Sequence, residues 1–549
     1  MNGTQLRSWF SGVWHDAGLK INVEDHHSGS TELVRSLGLW SVFLFTVTQA
    51  VGAGILTNPG IIASKYAGAN AWMSFLYAGL ICAAPALCLA KLSVGSSRSG
   101  STGSYASMHF GQLWGLLMFV DVAMECIGGT AAVAVSQAEH VKMALDLSIG
   151  VNLPDSFTTT PTNVPWLYLG IALLGCIAGP VLSRSSWTAL KAGNAASFAS
   201  RAWQILSLGT GLCLLGAGLY SSAAFFSGLQ SVNLLSFGII VLVTGVLMLG
   251  IGETKMFTNI FTMVKLAVVG TVVVLLAKHY NPALLNHPVP AGMPGTLAGA
   301  SVAFFAYVGL DMATTAAGET KNPKRNVPLG MLLGLVAVIL LYVAATYFLC
   351  AAVPYEQLSV NGKVTAAPMA RALELLGYHS ATLWVTIGST VALISVLLAS
   401  AYSTTRLLYN MAQHGMLPEL FQRVSSRQVP YVATLVVGGS IGILTALLDV
   451  DELMHLTNIG TMTCFITASS IVLVNTLRKT DWSSHANKMT GALWIIVGLL
   501  GISGPARLMI ELPGTAFVRL AVVWTAVIML FVFYSRHHSL ARAQAQTKA

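Results

Sequence analysis

Charge is what this 549-residue sequence has least of. Asp, Glu, Lys and Arg together make up 9% of it, against 55% hydrophobic residues. A soluble domain carries about 25% charged residues. So few charges cannot clothe a core in polar surface, which excludes a soluble enzyme, a disordered chain and a nucleic-acid reader. Catalytic and metal motifs are missing too. There is no HExxH, no CxxC and no readable Ser–His–Asp arrangement, so neither a metal nor a cofactor is expected. The seven cysteines (Cys82, Cys88, Cys126, Cys176, Cys213, Cys350 and Cys464) all lie in apolar stretches and read as small core residues. None falls in an expected outer segment, so no disulfide-linked accessory subunit is predicted. Residues 1–37 are polar and carry Asp16, Glu24, Asp25 and Glu32, which predicts no signal peptide.

What the sequence does have is long apolar runs, and its mean hydropathy is +0.71. A helix needs about 20 apolar residues to cross a bilayer. Candidate spans lie near 38–58, 70–90, 112–135, 165–183, 202–220, 233–252, 259–277, 298–318, 329–352, 381–405, 430–448, 453–476, 490–511 and 517–535. The predicted class is an all-α polytopic membrane protein with about 14 transmembrane helices. Residues 1–37 and 536–549 are its tails, and 38–535 form its transmembrane domain. The runs are long and continuous, unlike the short alternating strands of a barrel.

The net charge of +9 has a membrane explanation. With the N-terminus inside, the inner segments hold 21 Lys and Arg and the outer side seven, counting Arg507 and Arg519 near outer span ends, while Lys265 lies deep within a span. Lys and Arg collect on the cytoplasmic side. Both termini are therefore predicted to be cytoplasmic, in a multi-pass protein of the cell (plasma or bacterial inner) membrane.

Two spans carry unusual chemistry. The first contains Val51-Gly52-Ala53-Gly54-Ile55 and then Asn58-Pro59-Gly60. Paired glycines weaken a helix, although they also serve close helix packing in membranes. The second contains Phe304-Phe305-Ala306-Tyr307-Val308-Gly309-Leu310-Asp311, a glycine and an acid in mid-span. Together the two fit discontinuous helices in the two halves of a transporter. Unwinding frees backbone N–H and C=O groups that need partners. A bound amino acid supplies them, its carboxylate to helix N-termini and its ammonium to free carbonyls. Lys265 stands about 11 residues from the inner end near Thr254, where a charge costs about 2.5–3.5 kcal/mol even on lenient scales. Asp121 and Glu125 are four apart and share one helix face. They suit a pathway or gate, a second proton site, or structural hydrogen bonding.

The motif Phe304–Asp311, followed by Ala316-Ala317-Gly318-Glu319-Thr320-Lys321-Asn322-Pro323-Lys324-Arg325-Asn326-Val327-Pro328, closely resembles the signature of the cationic amino acid transporter-like branch of the amino acid–polyamine–organocation (APC) superfamily. The order of the other motifs agrees. Gly52-Ala53-Gly54-Ile55, Asp121 to Glu125, Gly250-Ile251-Gly252-Glu253-Thr254, the run Arg406–Pro418 and Asn458-Ile459-Gly460-Thr461 follow the family's sequence of helices over most of 32–480. The resemblance implies a LeuT-type five-plus-five inverted repeat and amino acid import by alternating access, coupled to protons. Residues 165–220 then read as a helix pair inserted between the family's third and fourth helices.

The resemblance also assigns residues. Gly52, Ala53, Gly54, Ile55, Phe305, Ala306 and Val308 are implied to bind the substrate. The glycine N–H groups face its carboxylate. The carbonyls of Phe305, Ala306 and Val308 face its ammonium, and the Phe305 ring closes over it. Lys265 is implied to couple protons, bridging the first helix and the tenth span of this chain. Asp121, Glu125, Asp311 and Glu319 are assigned to the pathway or gate. Lys91 and Gly318 stand where the family usually has Glu, and His414 where Asp is common. The expected partners are an amino acid, protons and the lipid bilayer. Neutral amino acids are favoured over cationic ones, because no acid is clearly placed to meet an arginine side chain. An exchanger or facilitator, and a nutrient sensor of the same fold, are the alternatives; a membrane-embedded enzyme lacks any supporting constellation.

Overall fold

The apolar runs become long helices. The structure, a computed structural model, describes residues 38–95, 101–151, 232–249, 255–286, 292–309, 320–360, 363–364, 367–426, 429–479 and 485–538, with a few isolated positions besides. The expected spans 165–183 and 202–220, and with them the inserted pair 165–220, lie outside the described residues, as do Cys176 and Cys213.

The first expected span is three pieces: α1 (Leu39–Ala50), α2 (Ala53–Leu56) and α3 (Asn58–Ile62). After it come α4 (Ala71–Gly95), α5 (Thr102–His109) and α6 (Gln112–Ile149). Helices α7 (Leu234–Met248), α8 (Lys255–Ala277), α9 (Gly292–Ala303) and α10 (Pro323–Ala352) follow. The short α11 (Pro368–Leu375) precedes α12 (His379–Gln413), α13 (Tyr431–Leu447) and α14 (Val450–Lys479). Helices α15 (His485–Met509) and α16 (Gly514–Leu530) complete the series. Among the described residues seven helices are long and apolar enough to cross a membrane, and four shorter apolar ones accompany them. The one strand pairing described is a small hairpin, β1 (Ser359–Val360) against β2 (Lys363–Val364).

Helix ends follow local chemistry. Asn233 caps α7, its side chain accepting from the Ser236 N–H at 3.0 Å. Helix α11 ends at Gly377, whose φ of 79° is a glycine conformation. There the Tyr378 N–H reaches back to Leu373 O at 2.9 Å, the long bond of a Schellman turn.

Burial shows which helices form the centre. In α6, 83% of the most apolar window is buried, and in α14 78%, but in α15 and α16 only 22% and 28%. Helices α6 and α14 therefore form the inner scaffold, with α12 packed along α6, while α15 and α16 leave most of their surface uncovered by the protein. Helix α10 packs on α1 and α4, and α8 on α12 and α10. Both broken helices run against this scaffold. At one end of the bundle α14 meets the continuation of α3: Lys65 Nζ lies 2.9 Å from Asp451 Oδ2, and Tyr66 Oη donates to both Asp451 oxygens. On the same turn Arg519 of α16 pairs with Glu452.

Candidate functional site

Glycine and a lack of hydrogen-bonding continuity make the first break. Helix α1 ends at Ala50, Val51 turns extended (φ −74°, ψ 98°), and a new turn begins at Ala53. The carbonyl freed at Ala50 is taken by a side chain: Tyr342 Oη on α10 donates to it at 2.6 Å. Tyr342 is fully buried. Its replacement by phenylalanine is expected to cost about 1–2 kcal/mol, the loss of one buried donor, read as earlier thermal inactivation of the purified protein. A Tyr342→Phe protein as stable as wild type would mean that the carbonyl at Ala50 finds another donor.

The second break follows α9. A tight 3-10 turn spans Phe304–Tyr307, Val308 is extended, and Gly309 sits at φ 89°, which an L side chain rarely adopts. Tyr307 anchors this turn, its hydroxyl donating to Phe75 O at 2.8 Å and its ring packing on Tyr342 at 5.5 Å.

The two breaks touch. A Cβ placed on Gly54 would stand 2.6 Å from Ala306 Cα and 2.8 Å from Ala306 Cβ. Only a residue without a side chain allows the two unwound backbones to meet this closely. Gly52, Ala53, Gly54, Ile55, Phe305 and Ala306 are all buried at this meeting point, and Val308 is half-buried beside it. The Phe305 ring faces α6, since a Cβ on Gly129 would lie 3.9 Å from its Cε2; the same Cβ would lie 3.8 Å from Thr457 Cγ2 of α14. One turn beyond the first break, Thr57 Oγ1 and Ser136 Oγ of α6 are 2.5 Å apart.

Lys265 of α8 is 5% exposed. It lines a small cavity together with Val51, Gly52 and Leu56 from the first break and Ala392 and Leu393 from α12. The cavity has room for about one water molecule. Lys265 thus stands between the first helix and the tenth expected span, 381–405.

The other assigned residues lie elsewhere. Asp121 is fully buried, but its Oδ1 accepts from Trp524 Nε1 of α16 at 2.9 Å, which ties it to a peripheral helix rather than to either break. Glu125, also buried, lies one turn further along the face of α6 that packs on Gly460 of α14. Asp311, Glu319 and Gly318 lie outside the described residues, as does the motif Gly250–Thr254. Lys91, the first departure from the family pattern, holds its Nζ 4.0 Å from the centre of the Trp494 ring and 3.3 Å from Thr476 Oγ1. There it staples α4 to α15 and α14. His414 caps its own helix, Nδ1 lying 2.8 Å from Asn410 O.

Sequence reasoning missed Tyr342, Trp524 and the carboxamides of Asn58 and Asn458, both fully buried between broken helices. The asparagines were visible as polar residues in apolar runs; the two aromatic partners had no sequence signal of their own.

Known proteins match this sequence along most of its length. The amino acid permease family model matches residues 37–533. A methylthioribose transporter of Bacillus subtilis (strain 168) is 27% identical over 515 residues, 93% of this chain and 96% of the relative. The branched-chain amino acid permease BcaP of the same organism is 27% identical over 516 residues, 93% and 95% of the two chains. Cationic amino acid transporter 9, chloroplastic, of Arabidopsis thaliana is 28% identical over 465 residues, 84% of this chain and 70% of the relative. These relatives are transporters, not enzymes. The chain is an integral membrane protein that belongs to the amino acid permease family of the APC superfamily.

Proposed function

We propose that this protein is a secondary active permease that imports neutral amino acids by alternating access within a LeuT-type five-plus-five fold, coupled to protons. The observation that carries the reading is the contact of Gly54 with Ala306, which sets two unwound segments face to face in the middle of the bundle. Each segment frees polar backbone where lipid offers no partner, and the amino acid's ammonium and carboxylate are the groups that complete it. The Gly129 position, which faces the Phe305 ring, and Thr457, which faces the Gly129 position, carry no charge, and this supports a neutral side chain. The name of the branched-chain relative agrees.

Proton coupling rests on Lys265. An ammonium fixed beside the first break is a resident cation, and losing its proton would change what that break binds. The bias of Lys and Arg supports both termini on the cytoplasmic side of a cell membrane. The end with Lys65 and Asp451 then faces outward and is closed by their ion pair.

The test is uptake of labelled solutes into proteoliposomes with an imposed inward proton gradient and no sodium. The panel holds neutral and cationic amino acids and also methylthioribose, since a relative of equal identity carries that name. Gradient-stimulated uptake of neutral amino acids is expected. Uptake of methylthioribose alone would replace the substrate class, and saturable binding without flux would favour a sensor.

A further inference from the structure

The last turn of α9 leaves carbonyls that the 3-10 turn cannot satisfy in the α-helical way. Any helix ends with such orphan groups. Here they are met by two side chains from distant parts of the chain. Asn458 Nδ2 of α14 donates to Ser301 O at 2.6 Å and lies 3.5 Å from Val302 O. Asn58 Nδ2, at the first residue of α3, donates to the same Val302 O at 3.3 Å. Both asparagines are fully buried. In each, the donor half of the carboxamide is used and Oδ1 has no hydrogen-bond partner among the described residues. A buried acceptor left bare is costly. What the site gains for that cost is two N–H donors aimed at one carbonyl end.

On the reading of this site as an amino-acid transport site, we propose that Asn58 and Asn458 are its positioning residues. Their carboxamides cap the carbonyl end of α9 and so hold Phe305, Ala306 and Val308 in the unwound form that receives an ammonium. Without the cap, the carbonyls of Ser301 and Val302 are satisfied only if the chain rewinds, drawing the N–H groups of Phe305 and Ala306 back into a helix four residues on. Rewinding would shift the carbonyls of the 3-10 turn and those after it from their present positions into an α-helical ladder, and so away from a ligand. The cap also joins three elements at one point: α3 from the first break, α9 from the second, and α14 from the scaffold.

The experiment uses the full chain, purified, with Asn58→Leu and Asn458→Leu, which remove the donors at similar volume. Asn→Ala versions of both remove the same donors without apolar bulk and serve where a leucine variant does not fold. Two readouts are taken. The first is the affinity ratio for leucine over 4-methylpentanoate, the same skeleton without its ammonium. The wild-type protein is expected to prefer leucine at least tenfold, and each variant to lose at least fivefold of that preference. A merely structural defect would weaken both ligands alike and leave the ratio intact. The second readout is hydrogen exchange at the amides of residues 304–308, expected to change in the variants while α15 stays at wild-type rates.

A preserved ratio in folded variants, or an exchange change spread evenly over the protein, overturns the proposal. Wild-type protein that takes up no member of the solute panel overturns the transport reading instead. The exchange measurement then still decides the cap, because it needs no substrate.

Discussion

Replacing Gly54 with alanine is expected to abolish transport while leaving a folded, membrane-inserted protein. The added Cβ would sit 2.6 Å from a backbone carbon of Ala306, far inside the 3.5–4.0 Å or so at which carbon atoms attract. No flexible side chain stands there to swing aside. The two breaks must part by about 1 Å, and misplacing reacting or binding groups by that much costs on the order of a hundredfold in rate. Overpacking costs about 1–3 kcal/mol of stability, partly offset because alanine is a better helix former than glycine by about 1 kcal/mol. The defect is therefore in function far more than in folding. Gly439 of α13 is the control, since a Cβ there meets nothing within 4 Å. Its alanine variant is expected to transport like wild type. Near-normal uptake by Gly54→Ala, measured in proteoliposomes beside thermal unfolding, would separate the two breaks from the substrate path.

The second large effect is expected at Lys265. Methionine keeps the length and apolar stem but removes the charge. Lys265→Met is expected to lose proton-driven accumulation by at least tenfold while keeping counterflow, which needs binding and alternation but no driving ion. Lys265→Arg is the sharper variant. Guanidinium stays protonated at every accessible pH, so a fixed positive charge alone is restored. If Lys265 works by releasing its proton, arginine does not rescue accumulation. If it serves only as a static cation bound to carbonyls, arginine does, and Lys265 leaves the coupling scheme.

Much of the bundle was legible because bilayer thickness writes itself into the sequence as runs of about 20 apolar residues. Hydropathy locates the membrane, however, and not the helix. The third expected span stops at 135, yet α6 continues to Ile149, where Gly150 at φ 66° ends it. Past the apolar run nothing broke the helix, and only the left-handed glycine did. The segment before α11 shows the reverse. Its hairpin has a plain local signal in Asn361-Gly362, the dipeptide suited to tight hairpin turns, which a search for apolar runs does not register. A glycine pair, Gly52 and Gly54, marked the first break, and Gly309 near Asp311 marked the second. That Gly54 faces Ala306, that Tyr342 closes the carbonyl at Ala50 and that two asparagines share the end of α9 are facts of packing. They join residues more than 150 positions apart, which no window along the chain contains.

The bond between Asp121 and Trp524 has a consequence for how the protein is made. The partners are 403 residues apart, and ribosomes add about 5–20 residues per second. Asp121 therefore enters the membrane roughly 20–80 s before its indole donor exists. During synthesis α6 is an acidic segment without that donor until α16 has followed it out of the ribosome. Biogenesis thus has a direction: the central helix goes in early and is locked late. A ribosome stalled before α16 would leave this buried acid without its indole partner, and the central helix unlocked.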